Sequence, residues 1–448
     1  MTMINFTKKS LLLGAALLMA GGLSACSSKD ELPPLPGDRL SVLEHEKSIT
    51  PDNPEAAAAG FALPAAWNNQ FWPQAGGYPN HAMQHIALPS LADGSLSKAW
   101  SADIGQGSSK SIPLTAQPIV VDGRAFTLDT RAQLSAFDIT NGKRLWRTNV
   151  SSTAEKDSVI TGGIGYSSGV LYITNGYNEI LAVNPNDGAE LWRKALIGPS
   201  RSAPTIMGGR IFVTTLDNRL LALDERTGDM LWQYQGLAEE AGLIGTASPA
   251  ANHDIVVPVF SSGEISALRV ENGSVAWSDN LSNLVKLGSL SGIGDIKAMP
   301  VIDQGLVFAI SFSGKMVAID ERTGARVWQR NLGGSETPWL AGDHFFVITS
   351  DNELAALNRI NGEIIWVQNL ARYKKPDSRK GNILWTGPIL AGGNVILSNN
   401  IGEITMFDPQ NGAILNTIKT GAKITIAPFV AGGTLYILSD DGRLIAYK

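Results

Sequence analysis

From about residue 96 onward the chain is built of short apolar runs separated by polar turns. One stretch reads 204–215, with Gly208-Gly209 inside it, then Leu216-Asp217-Asn218-Arg219, then Leu220 to Asp224. Another reads 428–439 with Gly432-Gly433, then Asp440-Asp441-Gly442, then Arg443 to Tyr447. Runs rich in β-branched and aromatic residues, bounded by Gly-Gly, Asp-Gly or Asp-Asn, are strand and hairpin signals. No stretch carries a sustained helical period, so the pattern predicts an all-β domain.

A second pattern lies on top of the first. It is Ala-x-Asp/Asn, a turn ending in Gly, then Trp. Copies begin at Ala136, Ala182, Ala222, Ala267, Ala318 and Ala356 and end at Trp146, Trp192, Trp232, Trp277, Trp328 and Trp366. A seventh copy has Met406 and Asn416 at these positions. Two apolar runs precede each copy, so the repeating unit is four antiparallel strands, the blade of a propeller. The ends decide how the ring closes. The last unit stops at Lys448 without its Trp strand, whereas the first element, around Trp100, is a Trp strand without partners. Pairing the two predicts an eight-bladed β-propeller whose last blade is completed by the N-terminal strand, leaving only short, protected edges.

The repeated residues have a structural reason. Ala leaves room for a neighbouring ring. Gly in the turn leaves a bare peptide face on which Trp can stack, and Asp or Asn can accept turn N–H groups. Trp100, Trp146, Trp192, Trp232, Trp277, Trp328 and Trp366 are therefore expected to staple blade to blade rather than to cage a ligand.

The N-terminus reads differently. Lys8 and Lys9 precede an apolar stretch over 11–20, too short to span a bilayer, and then Leu23-Ser24-Ala25-Cys26. Residues 1–25 are expected to be an export signal. The last four residues resemble the lipobox of bacterial lipoproteins, which implies acylation of Cys26. Under the enterobacterial rule, Ser27 after it implies sorting to the outer membrane, with the body on the periplasmic side. Cys26 is also the only Cys of 448 residues, so no internal disulfide exists. Residues 26–66, with several Pro and an Ala run, are expected to be a tether. Residues 67–95 lead into the propeller at 96–448.

Composition narrows the function. The net charge of −5 falls to −7 once Lys8 and Lys9 are removed, which argues against a nucleic-acid partner. His81 and His85 are four apart but lack the Glu of a zinc-protease motif, and they are expected on a surface loop rather than on a metal. No phosphate-cradling loop or nucleophile elbow is present. No catalytic residue, metal ligand or cofactor is expected.

The pattern Ala-x-Asp-x-x-Thr-Gly-x-x-x-Trp, at 222–232 and 318–328, resembles the tryptophan-docking repeat of PQQ-type propellers. That group includes quinoprotein dehydrogenases and the BamB lipoproteins of the outer-membrane β-barrel assembly (BAM) machinery. The dehydrogenases often stack their cofactor on a vicinal disulfide, which a single Cys cannot form, and they use a Ca²⁺ site that no acidic cluster here suggests. The lipobox, the size and the stretch 299–320 favour the BamB family. The resemblance then implies a non-catalytic scaffold that binds BamA POTRA domains and other BAM subunits, and that could meet nascent β-barrel proteins. A quinoprotein dehydrogenase and another periplasmic binding propeller remain the alternatives.

Three connections exceed the usual two to six residues: 233–246, 278–297 and 369–385. Aligned on Pro249 and Pro300, the family's BamA-contacting positions fall at Leu243 and Ile244 in the first connection and Asp295 in the second. Ile244 stands where the family often has Arg, and Lys297 where it has a second Asp.

Overall fold

The computed structural model describes residues 49–53, 60–152, 160–238, 247–282 and 296–448, all within one compact unit, Ile49–Lys448. Cys26, Leu243, Ile244 and Asp295 lie outside the described residues. Among the described residues no helix is long and apolar enough to cross a membrane.

Eight four-stranded antiparallel sheets follow one another along the chain. Blades 1 to 7 span 119–149, 163–195, 205–235, 250–280, 301–330, 339–369 and 385–419, each running from its innermost to its outermost strand. Blade 8 takes its three inner strands from the C-terminus, ending with Arg443–Tyr447, and its outer strand from Lys98–Asp103. Trp100 pairs with Ala446. Next to this pair, Ser97 and Lys448 exchange backbone hydrogen bonds of 2.8 and 2.9 Å. The ring is therefore closed non-covalently by its two ends, as the sequence pattern predicts.

The Ala–Trp spacing becomes a cross-strand pair in each of blades 1 to 6. Ala136 faces Trp146, Ala182 faces Trp192, Ala222 faces Trp232, Ala267 faces Trp277, Ala318 faces Trp328 and Ala356 faces Trp366. Each of these pairs sits at a bulge, which accommodates the extra residue of the Gly turn. The Trp then reaches the turn Gly of the next blade. At Gly273, φ is +73° and an added Cβ would lie 2.5 Å from Cε3 of Trp232. Gly142 stands in the same relation to Trp100, at 2.6 Å. The indole N–H groups donate to backbone carbonyls of the next blade: Trp100 to Ile139 at 2.9 Å, Trp277 to Glu321 at 2.8 Å and Trp328 to Arg359 at 2.8 Å. At these positions the staple combines ring stacking with a satisfied indole donor.

The seventh copy loses its Trp for a geometric reason. Asn416 pairs with Met406 in the normal register. The blade it would reach is blade 8, whose third and fourth strands come from opposite chain ends and have no turn between them. With no Gly to stack on, nothing requires a ring at 416.

Packing of the segment before the ring departs from expectation. The body reaches back to residue 49. The Asp52 N–H donates to Ile364 O at 2.9 Å, its carboxylate accepts the Ile364 N–H at 2.7 Å and pairs with Arg330 at 3.1 Å, and Phe61 stacks on His344 at 3.7 Å. Residues 69–86 then make one circuit inside the ring and touch the innermost strand of each blade in turn. Asn69 bonds Val430 O and accepts the Gly432 N–H in blade 8. Trp72 exchanges two backbone bonds with Val120 in blade 1, and Pro73 O accepts the Tyr166 N–H in blade 2. The Gln74 side chain accepts the Ile206 N–H in blade 3. Pro79 O and Asn80 O accept from Ala251 and Ile302 in blades 4 and 5. Gln84 serves blade 6 through the Trp339 indole and the Gly342 N–H, and Ile86 bonds Leu390 and Gly392 in blade 7. Trp67 and Ile86 pair with each other where the circuit ends. The innermost strand of a blade is a sheet edge with unpaired backbone groups, and this segment satisfies it eight times.

Candidate functional site

The circuit contacts the C-terminal halves of the innermost strands. The space beside their N-terminal ends is left open as an axial funnel of about 500 Å³. The funnel opens on the face that carries the blade-to-blade connections, and the circuit forms its floor. Trp72, Gly76 and His81 come from the floor; Arg201, Lys297 and Glu336 come from the residues that lead into blades 3, 5 and 6, and Trp339 opens blade 6. Glu336 is engaged already, accepting from the Thr386 hydroxyl at 2.7 Å and the Gly387 N–H at 3.3 Å. The half-buried Arg201 and the exposed Lys297 have no carboxylate partner among the described residues. Among the described lining residues the cations Arg201 and Lys297 outnumber the one acid, Glu336, while the chain as a whole is acidic.

His81 and His85, expected on a surface loop, are both buried inside the ring. Their side chains close the circuit: backbone carbonyls must be met where water is excluded, and each imidazole N–H meets one. His85 donates from Nδ1 to Pro64 O at 2.8 Å and accepts the Gly393 N–H on Nε2 at 3.0 Å. His81 donates from Nδ1 to Pro300 O at 2.7 Å, and its Nε2 is buried without a partner among the described residues. Among the described residues no group of three or more His, Cys, Asp or Glu is placed to hold a metal ion.

Burial holds the His81 pKa down at about 4, against the opposing pull of the Pro300 carbonyl. An unfolded His takes up a proton near pH 6.5. Above that pH both states are neutral and His81 imposes no penalty. As pH falls from 6.5 towards 4, the unfolded state gains a proton that the folded state refuses, so stability drops. This lowering predicts that wild type loses about 2 kcal/mol more than His81→Asn between pH 7 and pH 5, because Asn can keep the Pro300 hydrogen bond. Urea unfolding of both proteins at the two pH values checks it.

The two connections that carry Leu243, Ile244 and Asp295 are visible only at their ends. Ser248, just after the first, and Lys297, the last residue of the second, both line the funnel. The third long connection is fully described. It rises as a hairpin of Tyr373–Lys375 and Lys380–Asn382 around a 3₁₀ turn at Pro376–Ser378. Its base is fixed, with Ile383 buried and the Trp385 indole donating to Ala371 O at 3.0 Å. Neither the axial funnel nor the circuit that floors it was legible in the sequence. The circuit's residues lie before the repeats, and the funnel is lined by residues that open successive repeats but meet only in the closed ring.

The family described as Outer membrane protein assembly factor BamB matches residues 84–163 and 154–368. An uncharacterized protein of Rickettsia prowazekii is 31% identical over 284 residues, covering 63% of this chain and 68% of that protein. Outer membrane protein assembly factor BamB of Escherichia coli strain K12 is 25% identical over 354 residues, covering 77% of this chain and 87% of its own. The crystal structure of BamB from Moraxella catarrhalis superposes with a TM-score of 0.68 at 21% identity, over 79% of this chain and 99% of that one. A quinohemoprotein alcohol dehydrogenase from Comamonas testosteroni shares the fold with a TM-score of 0.63 at 12% identity, over 88% of this chain and 82% of that one.

Proposed function

This chain belongs to the BamB family of outer membrane protein assembly factors, and from that membership we propose that it is a non-catalytic scaffold of the BAM machinery. It would be held at the periplasmic face of the outer membrane by acyl chains on Cys26, and would bind the POTRA domains of BamA. The single observation that carries this reading is the family match over most of the propeller. The surface organisation supports it. Closing the ring and filling its inner edges uses the repeat and the circuit, so neither explains connections longer than the fold needs. Two such connections enter neighbouring blades 4 and 5 and end at the funnel mouth.

In this reading Leu243 and Ile244 supply an apolar anchor and Asp295 a polar contact, the combination that concentrates binding energy at interfaces. Lys297, exposed at the funnel rim, places a cation where the family often has an acid, so a complementary carboxylate is expected on the partner.

The test is capture of the acylated, detergent-solubilised protein's partners. Recovery of a BamA homologue supports the scaffold, and its absence overturns the reading. Leu243→Asp combined with Asp295→Lys is expected to cut that capture about tenfold or more while the thermal melt stays within a degree or so of wild type. Dye reduction on addition of pyrroloquinoline quinone and Ca²⁺ would establish the enzyme alternative instead.

A further inference from the structure

The hairpin between blades 6 and 7 breaks a local rule without any gain inside the fold. Residues 369–385 hold Arg372, Lys374, Lys375, Arg379 and Lys380 against one acid, Asp377. Among the described residues only Arg372 is paired, with Asp351. Lys374, Lys375, Arg379 and Lys380 are exposed and have no anionic partner among the described residues. Lys375 and Lys380 are directly opposite each other in the register. Like charges facing across an antiparallel pair destabilise it, and a lone two-stranded hairpin is marginal in water to begin with. This one is nonetheless built with care below its tip. The Ile383 N–H donates to Arg372 O at 2.9 Å, Asn400 bonds both Asn382 O and the Leu384 backbone, and Lys374 lies over Gly381. A fixed base under a self-repelling tip is the arrangement expected where an outside anion supplies the missing charge.

We propose that this hairpin is a contact for anionic lipid headgroups at a membrane surface. The residue types favour lipid over an acidic protein. Three of the four unpaired cations are Lys, which is depleted at protein interfaces, where Arg and aromatic anchors are enriched. The hairpin's one aromatic residue, Tyr373, is half-buried at its base, and the exposed tip over 374–381 has none. A cluster of flexible, strongly hydrated point charges instead suits a diffuse field of phosphates. Segregation of the charge matters as well. The chain carries −5 overall, so a membrane contact has to be confined to a patch that projects from it. The contact does not depend on the BAM reading, since charge and exposure alone carry it, and it would orient the body whether or not an acyl chain holds it nearby.

The experiment uses the full chain purified in detergent and mixed into two kinds of vesicle, pure phosphatidylcholine and phosphatidylcholine with phosphatidylglycerol. Flotation and amide hydrogen exchange over 373–382 are read at low and high salt. The expected result is exchange roughly three- to tenfold slower on the anionic vesicles at low salt, with the difference gone at 0.5 M salt, where the screening length is only a few ångströms. Lys375→Glu provides the internal control. It replaces the repelling pair by an attracting one, so the hairpin should exchange more slowly on neutral vesicles while losing its dependence on anionic lipid. A purely structural hairpin would show only the first effect. Flotation with both vesicles but equal exchange on them overturns the proposal and leaves the lipid anchor standing. Flotation with anionic vesicles alone supports the proposal and counts against the anchor. Flotation with neither, or protection by soluble polyglutamate and not by anionic vesicles, overturns it.

Discussion

Trp72→Ala is expected to destabilise the propeller by about 3–5 kcal/mol, the usual cost of removing a large, fully buried aromatic side chain. Trp72 is 1% exposed, and its ring lies 5.3 Å from that of Phe429 in blade 8 while its backbone pairs with Val120 in blade 1. It therefore joins the first blade to the last from inside, across the seam the chain ends must close. Its indole donates to the Gln117 side chain at 3.2 Å. That acceptor keeps a second donor, the Gly76 N–H, at 3.0 Å, so the loss is one of packing and not of an orphaned polar group. For a body of this length the melting temperature should fall by roughly 3–6 °C. A melt unchanged from wild type would mean that the ring does not lean on the inner circuit.

The second large effect concerns the outer staple, and it has a built-in comparison. Trp328→Ala removes a buried ring from Gly362 and the donor to Arg359 O, and a loss of about 3–5 kcal/mol is expected. Asn416→Ala changes the equivalent position of blade 7. Asn416 is exposed and, among the described residues, its side chain bonds only the neighbouring Thr417 N–H, at 2.8 Å, so a change within about 0.5 kcal/mol is expected. Urea unfolding of both variants separates the two outcomes. Equal costs at 328 and 416 would show that the Trp positions matter through strand pairing alone, and that stacking on the next blade's Gly contributes nothing.

These two predictions draw on unequal amounts of sequence information. The staple was readable residue by residue. Gly142 and Trp146 sit four apart in one copy, and the same offset recurs copy after copy, so a single physical cause had to act at each. Nothing comparable marked the circuit. His81 and His85 looked like loop residues because Pro and Gly surround them, and a solitary His pair carries no sign of being enclosed. Of the candidate partner contacts, Leu243, Ile244 and Asp295 rest on family resemblance. The basic hairpin was visible only as an overlong connection, and the opposition of Lys375 and Lys380 follows from a register that the turn at 376–379 sets.

The sequence alone determined the blade, the number of blades and the closure of the ring. Each of these rests on contacts between neighbouring strands, whose hairpin turns and alternating side chains are written within a few residues of one another and then repeated. Tertiary structure alone decided what fills the inside of the ring. Asn69 meets Val430 across 361 residues of chain, and Gln84 meets Gly342 across 258. Such pairs leave no local pattern, because a carbonyl or amide that waits on an inner strand edge accepts any backbone brought to it. The sequence built a ring with eight unpaired inner edges, and the need to satisfy buried N–H and C=O groups then recruited the non-repeating segment before it. That recruitment also left the funnel floored on one side and open on the face where the long connections meet.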